Sequence, residues 1–452
     1  MKNIIFPIEI KKREFYAKVL LAHYILSTEN NKVSIYIGDY KKIRSIITLC
    51  SDEGSVILLN GISCYDSFYS RLKDFNTSPH LLQEEGNIFT SNLLKLFKDA
   101  DVFNYIRFID KIYLWSKGSK DLWKNFIKND HDEKKFVVTG HPRFDLPKLV
   151  SFQEKRKYIL INTTFAVVNA LVDVVSEVEN SESLKKHLVR HNRKISGDSL
   201  NRDKQTFIKF TSGIEKLLQH FPNERFLLRP HPGENPEFYK KYFSKYSNIK
   251  ISENTTLTEV LSKVKFIIHP GCTTAVEAAM QKIISICYCP LLDRRNIQVL
   301  PFMISYKCTD ESRLVNLCEG ILKKNIIFKE KKNLIKKYID NYSYYSAEKI
   351  STEIINYKLP EKTSPIYANV KWTLLDIFFQ IRYYPTYLYK YFFYKKFRET
   401  IRQQKIRELY KIPYIKDQEI IDLLEKYKLI FKKNYNYKII NLKKNFFKIE
   451  KI

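Results

Sequence analysis

The stretch KFIIHPGCTTAVEAAM, Lys265–Met280, passes from an apolar run (Phe266–Ile268) through His269, Pro270 and Gly271 into two threonines. Thr273 and Thr274 then open a segment with apolar residues at helical spacing and Glu277 in its first turn. A strand, a tight turn and a helix in that order make half of a βαβ unit, the repeat of parallel α/β sheets. Free amides and hydroxyls at such a helix start favour a phosphate or carboxylate. Glu277, one turn in, is placed to accept from sugar hydroxyls. The same residues also read as an N-cap at Thr273 and a favourable first-turn charge at Glu277.

Working outward, the pattern recurs on both sides. Tyr158–Asn162, Phe226–Leu228, Ile249–Ile251 and Ile283–Cys287 read as further buried strands, which gives a second α/β domain over 151–330. Before it, Ile4–Ile8, Val33–Ile37, Val56–Leu59, Ile112–Trp115 and Phe136–Val138 alternate with helical stretches such as Phe15–Leu26 and Asn92–Leu96. That predicts a first Rossmann-like domain over 1–150, each sheet covered on both faces. Ser176–Asp203 is polar and poor in strand signals, and reads as a helical or mobile insertion. From 331 the expectation is a helical, basic, aromatic extension over 331–452.

At 452 residues and 44% hydrophobic, the chain suits two domains with an appendage and excludes wholesale disorder. Its seven cysteines lack paired CxxC spacing, which predicts buried thiols in a reducing compartment. The N-terminus MKNIIFPIEIKKREFY lacks the apolar core of a signal peptide, and no long uncharged apolar window predicts a spanning helix. The expected location is therefore cytoplasmic. The net charge of +29 asks for some polyanion, although a Lys-, Ile-, Asn- and Tyr-rich codon bias accounts for part of it. The last 92 residues hold 21 Lys and Arg against 9 Asp and Glu, together with 21 aromatic residues. Such a surface suits anionic lipid, as does a helical cap on the two domains.

Three other loop-like segments carry chemistry at predicted strand ends, where open α/β sheets bind ligands: Gln83–Gly86, Gly140–Arg143 and Arg229–Glu234. Arg229 and His231 fall just past a strand, and a histidine there can donate to a phosphate and protonate a departing nucleotide. Glu84 and Glu85 can supply a base for an acceptor hydroxyl, or form only a solvated loop. His269 reads equally as a ligand or as a core histidine. No DxD-like pair stands in a loop, so no metal is expected, and no cofactor.

Together these segments, from IEIKKREFYAKVLLA through QEEG, TGHPRFDL, YILINTTF and RPHPGENPEFY to IIHPGCTTAVEAA, resemble the surface carbohydrate biosynthesis protein family. That is a GT-B-type glycosyltransferase family, and the similarity covers about residues 1–300. Motif order is also similar to bacterial sialyltransferases and Kdo-transferase-like enzymes, in Glu84-Glu85-Gly86, His231-Pro232 and Thr273-Thr274. The resemblance implies two Rossmann-type domains and inverting transfer of a nucleotide-activated sugar, such as a CMP-activated acidic keto-sugar, to a glycan or lipid-linked glycan. It implies Glu84 or Glu85 as acceptor base, with Glu84 preferred, and His231 assisting departure of the nucleotide. Arg229, His269, Gly271, Thr273, Thr274, Glu277, Asn162, Thr163 and Thr164 would hold nucleotide and phosphate, with His141 and Arg143 at a hinge or donor contact. Here both acidic positions are Glu and the hydroxyl pair is Thr-Thr, which loosens the donor more than the reaction class. The alternatives are a UDP-sugar transferase, a nucleotide-sugar epimerase or a polyol-phosphate transferase on the same fold. A non-catalytic envelope-assembly protein and a nucleic-acid-binding protein also remain, although no nucleic-acid motif is present. Peripheral attachment to the inner face of the cytoplasmic membrane is expected.

Overall fold

The computed structural model describes residues 2–28, 32–50, 53–62, 66–84, 105–124, 133–150, 156–166, 168–169, 197–252, 255–291, 298–360, 365–394, 401–402, 405, 408–409 and 411–452. They divide into two compact units, one drawn from 1–85, 101–143 and 344–452, the other from 144–343.

In the first unit the chain runs β1 (Lys2–Ile8), α1 (Lys11–Leu26), β2 (Val33–Asp39), α2 (Ile43–Leu49), β3 (Ser55–Leu59), α3 (Asp66–Asp74), β4 (Thr77–Leu82), β5 (Lys111–Leu114), α4 (Lys117–Lys124) and β6 (Phe136–Val138). These strands lie parallel in the order β2-β1-β3-β4-β5-β6. Ile4, Ile5, Phe6 and Ile8 are all buried, as a strand covered on both faces requires. From Phe15 onward α1 is apolar on every side except at Lys18 and His23, and most of it is buried, so it needs cover all round. The sheet supplies one side, and helices from the tail supply the rest. Tyr427 donates to the Tyr16 carbonyl (3.3 Å), Ser351 donates to the Leu21 carbonyl (3.1 Å), and His23 Nδ1 pairs with the Tyr435 hydroxyl (2.8 Å).

The second unit runs β7 (Tyr158–Asn162), α5 (Gly197–His220), β8 (Arg225–Arg229), α6 (Pro236–Tyr242), β9 (Ile249–Ile251), α7 (Leu257–Leu261), β10 (Val264–His269), α8 (Thr274–Met280), β11 (Ile284–Tyr288), α9 (Val299–Ile304), β12 (Tyr306–Cys308), α10 (Glu311–Leu322) and α11 (Lys332–Tyr338). Its six strands are parallel in the order β12-β11-β10-β7-β8-β9. One face packs Phe210, Ile214, Leu217, Phe226, Phe243 and Tyr288; the other packs Leu160, Leu261, Val264, Ile267 and Ala275. A capping box, Thr256 with Glu259, starts α7, and Asp310 caps α10.

The tail departs from the expected helical extension. Residues 331–343 belong with the second unit, and from 344 the chain returns to the first. After α12 (Ser346–Asn356), α13 (Pro365–Phe393) and α14 (Asp417–Phe431), it ends in a hairpin, β13 (Tyr437–Lys443) and β14 (Phe446–Lys451). β14 pairs antiparallel with β2 and extends the first sheet to eight strands among the described residues. The hairpin escapes the sequence reading because β13 lies half in water and carries lysines on its outer side. Two more strands do the same: β4 (TSPHLL) is interrupted by Pro79 and His80, and β12 is three residues long. Within the expected insertion, 197–203 opens α5; its other residues, like 92–96, lie outside the described ones.

Docking of the hairpin depends on Gly38. A Cβ there would stand 2.3 Å from the Asn445 carbonyl oxygen and 2.8 Å from Phe446 Cα, backbone atoms that cannot turn aside. Gly38→Ala is expected to cost about 1–3 kcal/mol, read as a lowered Tm. An unchanged Tm would mean that β14 does not pair there.

Candidate functional site

In an open α/β sheet the strand order reverses beside the first strand, and the crevice at that point, at the carboxyl ends of the strands, is where ligands bind. In the second unit β7 is that strand: the chain builds outward to β8 and β9, then crosses to β10, β11 and β12. Asn162 ends β7, Arg229 ends β8 and His269 ends β10, so the sequence motifs converge on this edge.

Asn162 Nδ2 donates to Thr274 Oγ1 (2.6 Å), a bond that spans the reversal. Asn162 Oδ1 is buried with no hydrogen-bond partner among the described residues, an acceptor that costs stability unless something donates to it. Gly271 adopts φ +100°, a region open to glycine, and turns the chain from β10 into α8. Thr273 stands half-buried before that helix without a side-chain cap bond, Thr274 and Glu277 are buried, and Thr164 is exposed.

His269 does not present itself as a ligand. It is fully buried; Nδ1 accepts from the Gly271 and Cys272 amides (3.0 and 3.1 Å), and Nε2 meets the Ser305 hydroxyl (3.0 Å). Burial pulls its pKa down to about 3, so it stays neutral and shapes the turn. His231 is the opposite case, exposed at the strand end. Its Nδ1 accepts the Gly233 amide (3.1 Å), which leaves the ring proton of the neutral form on Nε2.

Glu234, which the sequence reading passed over, ties the two loops together. Its Oε1 accepts from the Phe165 amide (2.6 Å), and its Oε2 accepts from Thr163 (2.7 Å) and the Tyr239 hydroxyl (2.5 Å). Burial drives its pKa up to about 7, against the opposing effect of these donors. A carboxyl raised from an ordinary 4.5 stabilises the fold most below pH 4.5 and loses that contribution as pH rises to about 7. The wild type should therefore lose about 3 kcal/mol across that window, relative to Glu234→Gln, whose neutral amide can meet the same hydroxyls. Equal pH dependence of denaturant midpoints in the two proteins would refute this.

In the first unit the reversal falls at β1, flanked by β2 and β3. Here a buried charged cluster fills the carboxyl edge. The Lys18 ammonium, fully buried on α1, donates to the Pro7 carbonyl and to Asn60 Oδ1, and lies 3.8 Å from both Glu14 Oε2 and Glu84 Oε1. Glu14 accepts from Arg13 (2.7 Å), Asn60 Nδ2 (2.8 Å) and the Glu9 amide (2.7 Å). Glu84 follows β4, its amide donating to the Asn60 carbonyl (3.1 Å).

Glu84 Oε2 is 3.4 Å from His141 Nε2, and His141 Nδ1 accepts the Arg143 amide (3.1 Å). Gly140, at φ +74°, turns the chain so that the His141 ring packs on Trp115, centroids 4.8 Å apart. Burial favours the neutral Glu84 acid, but His141, then Lys18 and Arg13, outweigh it and hold the carboxyl down to about 2. Its neighbours thus hold Glu84 as the carboxylate. Arg143 is half-buried, and Glu85 and Gly86 lie outside the described residues. Among the described residues no group of three or more His, Cys, Asp or Glu is placed to hold a metal ion.

Two Rossmann-type sheets in one chain, the second parallel and the first parallel except for its terminal hairpin, each with a polar cluster at its reversal point, define the architecture. The chain has a GT-B-like fold. S. aureus MnaA, solved with UDP, is similar over 80% of this chain and 100% of its own, with 10% identity and a TM-score of 0.50. A UDP-GlcNAc 2-epimerase from Neisseria meningitidis bound to UDP-GlcNAc covers 78% of this chain and 99% of its own (12% identity, TM-score 0.45). The wall teichoic acid polymerase TagF covers 82% and 89% (12% identity, TM-score 0.46). At these identities the likeness is one of fold. No protein-family model and no curated protein matches the chain.

Proposed function

We propose that the chain is a GT-B-type glycosyltransferase of surface polysaccharide synthesis, which transfers a sugar from a nucleotide donor to a glycan or lipid-linked glycan at the inner face of the cytoplasmic membrane. The observation that carries this reading is the edge of the second sheet, where Asn162, Arg229, His231, Thr273 and Thr274 gather at the carboxyl ends of β7, β8 and β10. Hydroxyls, an arginine and a histidine there suit a nucleotide phosphate, and the buried Asn162 acceptor suits a donor group of the nucleoside. The fold neighbour MnaA was solved with UDP, which supports a nucleotide as the ligand class.

In the proposed reaction the acceptor oxygen bonds to the anomeric carbon as the bond from that carbon to the phosphate oxygen breaks, with inversion. The acceptor proton passes to the acidic pair, and His231 Nε2–H donates to the departing phosphate. Glu84 or Glu85 is the base, and Glu84 also pairs with His141. The donor is a CMP-activated acidic keto-sugar; a UDP-sugar is the second reading, favoured by the UDP of the fold neighbour.

The test is nucleotide release from CMP-, UDP- and GDP-sugars and from a CDP-polyol, with and without a bacterial glycan acceptor. Release that requires acceptor, from one donor class, is expected. Interconversion of the free nucleotide sugar without acceptor would make the protein an epimerase, and release from a CDP-polyol alone would make it a polyol-phosphate transferase; either outcome overturns the proposal.

A further inference from the structure

α13 is clamped to α3 by one side only. Ala368 and Trp372 are buried, Lys371 and the Trp372 indole donate to Asp74 (2.7 and 2.8 Å), and Arg71 donates to both oxygens of Asp376 (3.1 and 3.0 Å). The other side carries Val370, Leu374, Ile377, Phe378 and Ile381, exposed by 57, 61, 46, 55 and 69%. Their spacing of four, three, one and three residues is that of one helical stripe. Large aliphatic side chains aligned in water at this density mark an interaction surface.

The charge around the stripe selects its occupant. Among the described side chains of α13 the one carboxylate, Asp376, is already bound to Arg71. Past the stripe come exposed Tyr387, Tyr389 and Tyr391 with exposed Lys390, and by sequence residues 390–411 hold eight Lys and Arg against two acids. A second copy of the chain related by a two-fold axis would bring like charges together, which opposes association. An anionic bilayer instead takes the aliphatic stripe among its acyl chains, the tyrosine rings at headgroup depth and the cations at its phosphates. None of the described helices is long and apolar enough to cross a membrane.

We propose that the outer face of α13 lies in the plane of an anionic membrane surface, Val370, Leu374, Ile377, Phe378 and Ile381 inserted and Lys390 toward the lipid phosphates. It rests on the transferase reading only in giving that reaction a membrane-borne acceptor, and its test uses no donor.

The full chain is sedimented with vesicles of phosphatidylglycerol and phosphatidylcholine, and with vesicles of phosphatidylcholine alone, beside a Leu374→Ser, Ile377→Ser, Ile381→Ser variant. Because these side chains are exposed, the variant should keep the wild-type Tm. Expected are binding to the anionic vesicles that weakens with salt, and a loss of at least about tenfold in the variant. Failure of the wild type to bind anionic vesicles, or equal binding by the variant, overturns the proposal. So does self-association of the wild type that the variant abolishes, without vesicle binding, since the face would then join two copies. A protein that binds vesicles but transfers no sugar keeps this surface and loses the proposed reaction.

Discussion

Replacing His231 with alanine is expected to lower kcat for sugar transfer by about 10²–10⁴-fold, the usual range for a positioned general acid. The ring is exposed and its Nδ1 accepts from the Gly233 amide, so its removal is expected to leave the fold intact. Stability should change by no more than about 0.5 kcal/mol. The loss belongs in kcat, with KM for the donor moved less, because the proton matters once the phosphate departs. His231→Gln, which retains a donor but no transferable proton, should recover donor binding without recovering rate. Initial rates of nucleotide release over a donor series measure both constants. A His231→Ala protein with wild-type kcat would remove the leaving-group role.

The largest stability effect is expected at Lys18. Its ammonium is the buried cation between Glu14 and Glu84, and Lys18→Met would leave both carboxylates buried without it, Glu14 keeping Arg13 and Asn60 and Glu84 keeping His141. Breaking a buried ion pair from one side costs about 3–5 kcal/mol. Burial already raises the Glu14 pKa, and Lys18 is the first of the groups that oppose it. Without the cation both acids are driven toward their neutral forms, so the penalty should grow as pH rises above about 4.5 and shrink below it. Adding Glu14→Gln should restore part of the loss, as coupled neighbours do. Denaturant unfolding at pH 4 and pH 8 reads all three proteins; losses that simply add would show that the ion pairs carry little energy.

The sheet-and-helix rhythm was legible because parallel strands bury both faces and read as unbroken apolar runs, as in YILIN and KFIIH. The carboxyl edge of the second sheet was legible for the same reason, since each run ends in a polar turn. His269 was ambiguous in sequence, because a histidine at a strand end reads alike whether it faces solvent or a turn's amides. Glu14 and Lys18, which complete the cluster of the first unit around Glu84 and His141, were missed because Lys11–Lys18 looks like a solvated helix start. The available signal was Glu14 and Lys18, four residues apart, with Lys18 inside the apolar run Phe15–Leu26, where a charge must find a partner. Glu234 was hidden by its neighbours in RPHPGE, and only Thr163 and Tyr239 beside it reveal what it holds. The tail hairpin had no local signature, since Phe446, Phe447 and Ile449 find their core against β2, some four hundred residues earlier in the chain.

Calorimetric titration of the full chain with CMP, CDP, UDP and GDP, beside Thr273→Ala, tests most directly that the edge of the second sheet is a nucleotide site. Saturable binding of CMP is predicted, with affinity reduced about tenfold by loss of one phosphate-contacting hydroxyl. Binding of none of the four nucleotides would contradict the assignment, as would binding that Thr273→Ala and His231→Ala both leave unchanged.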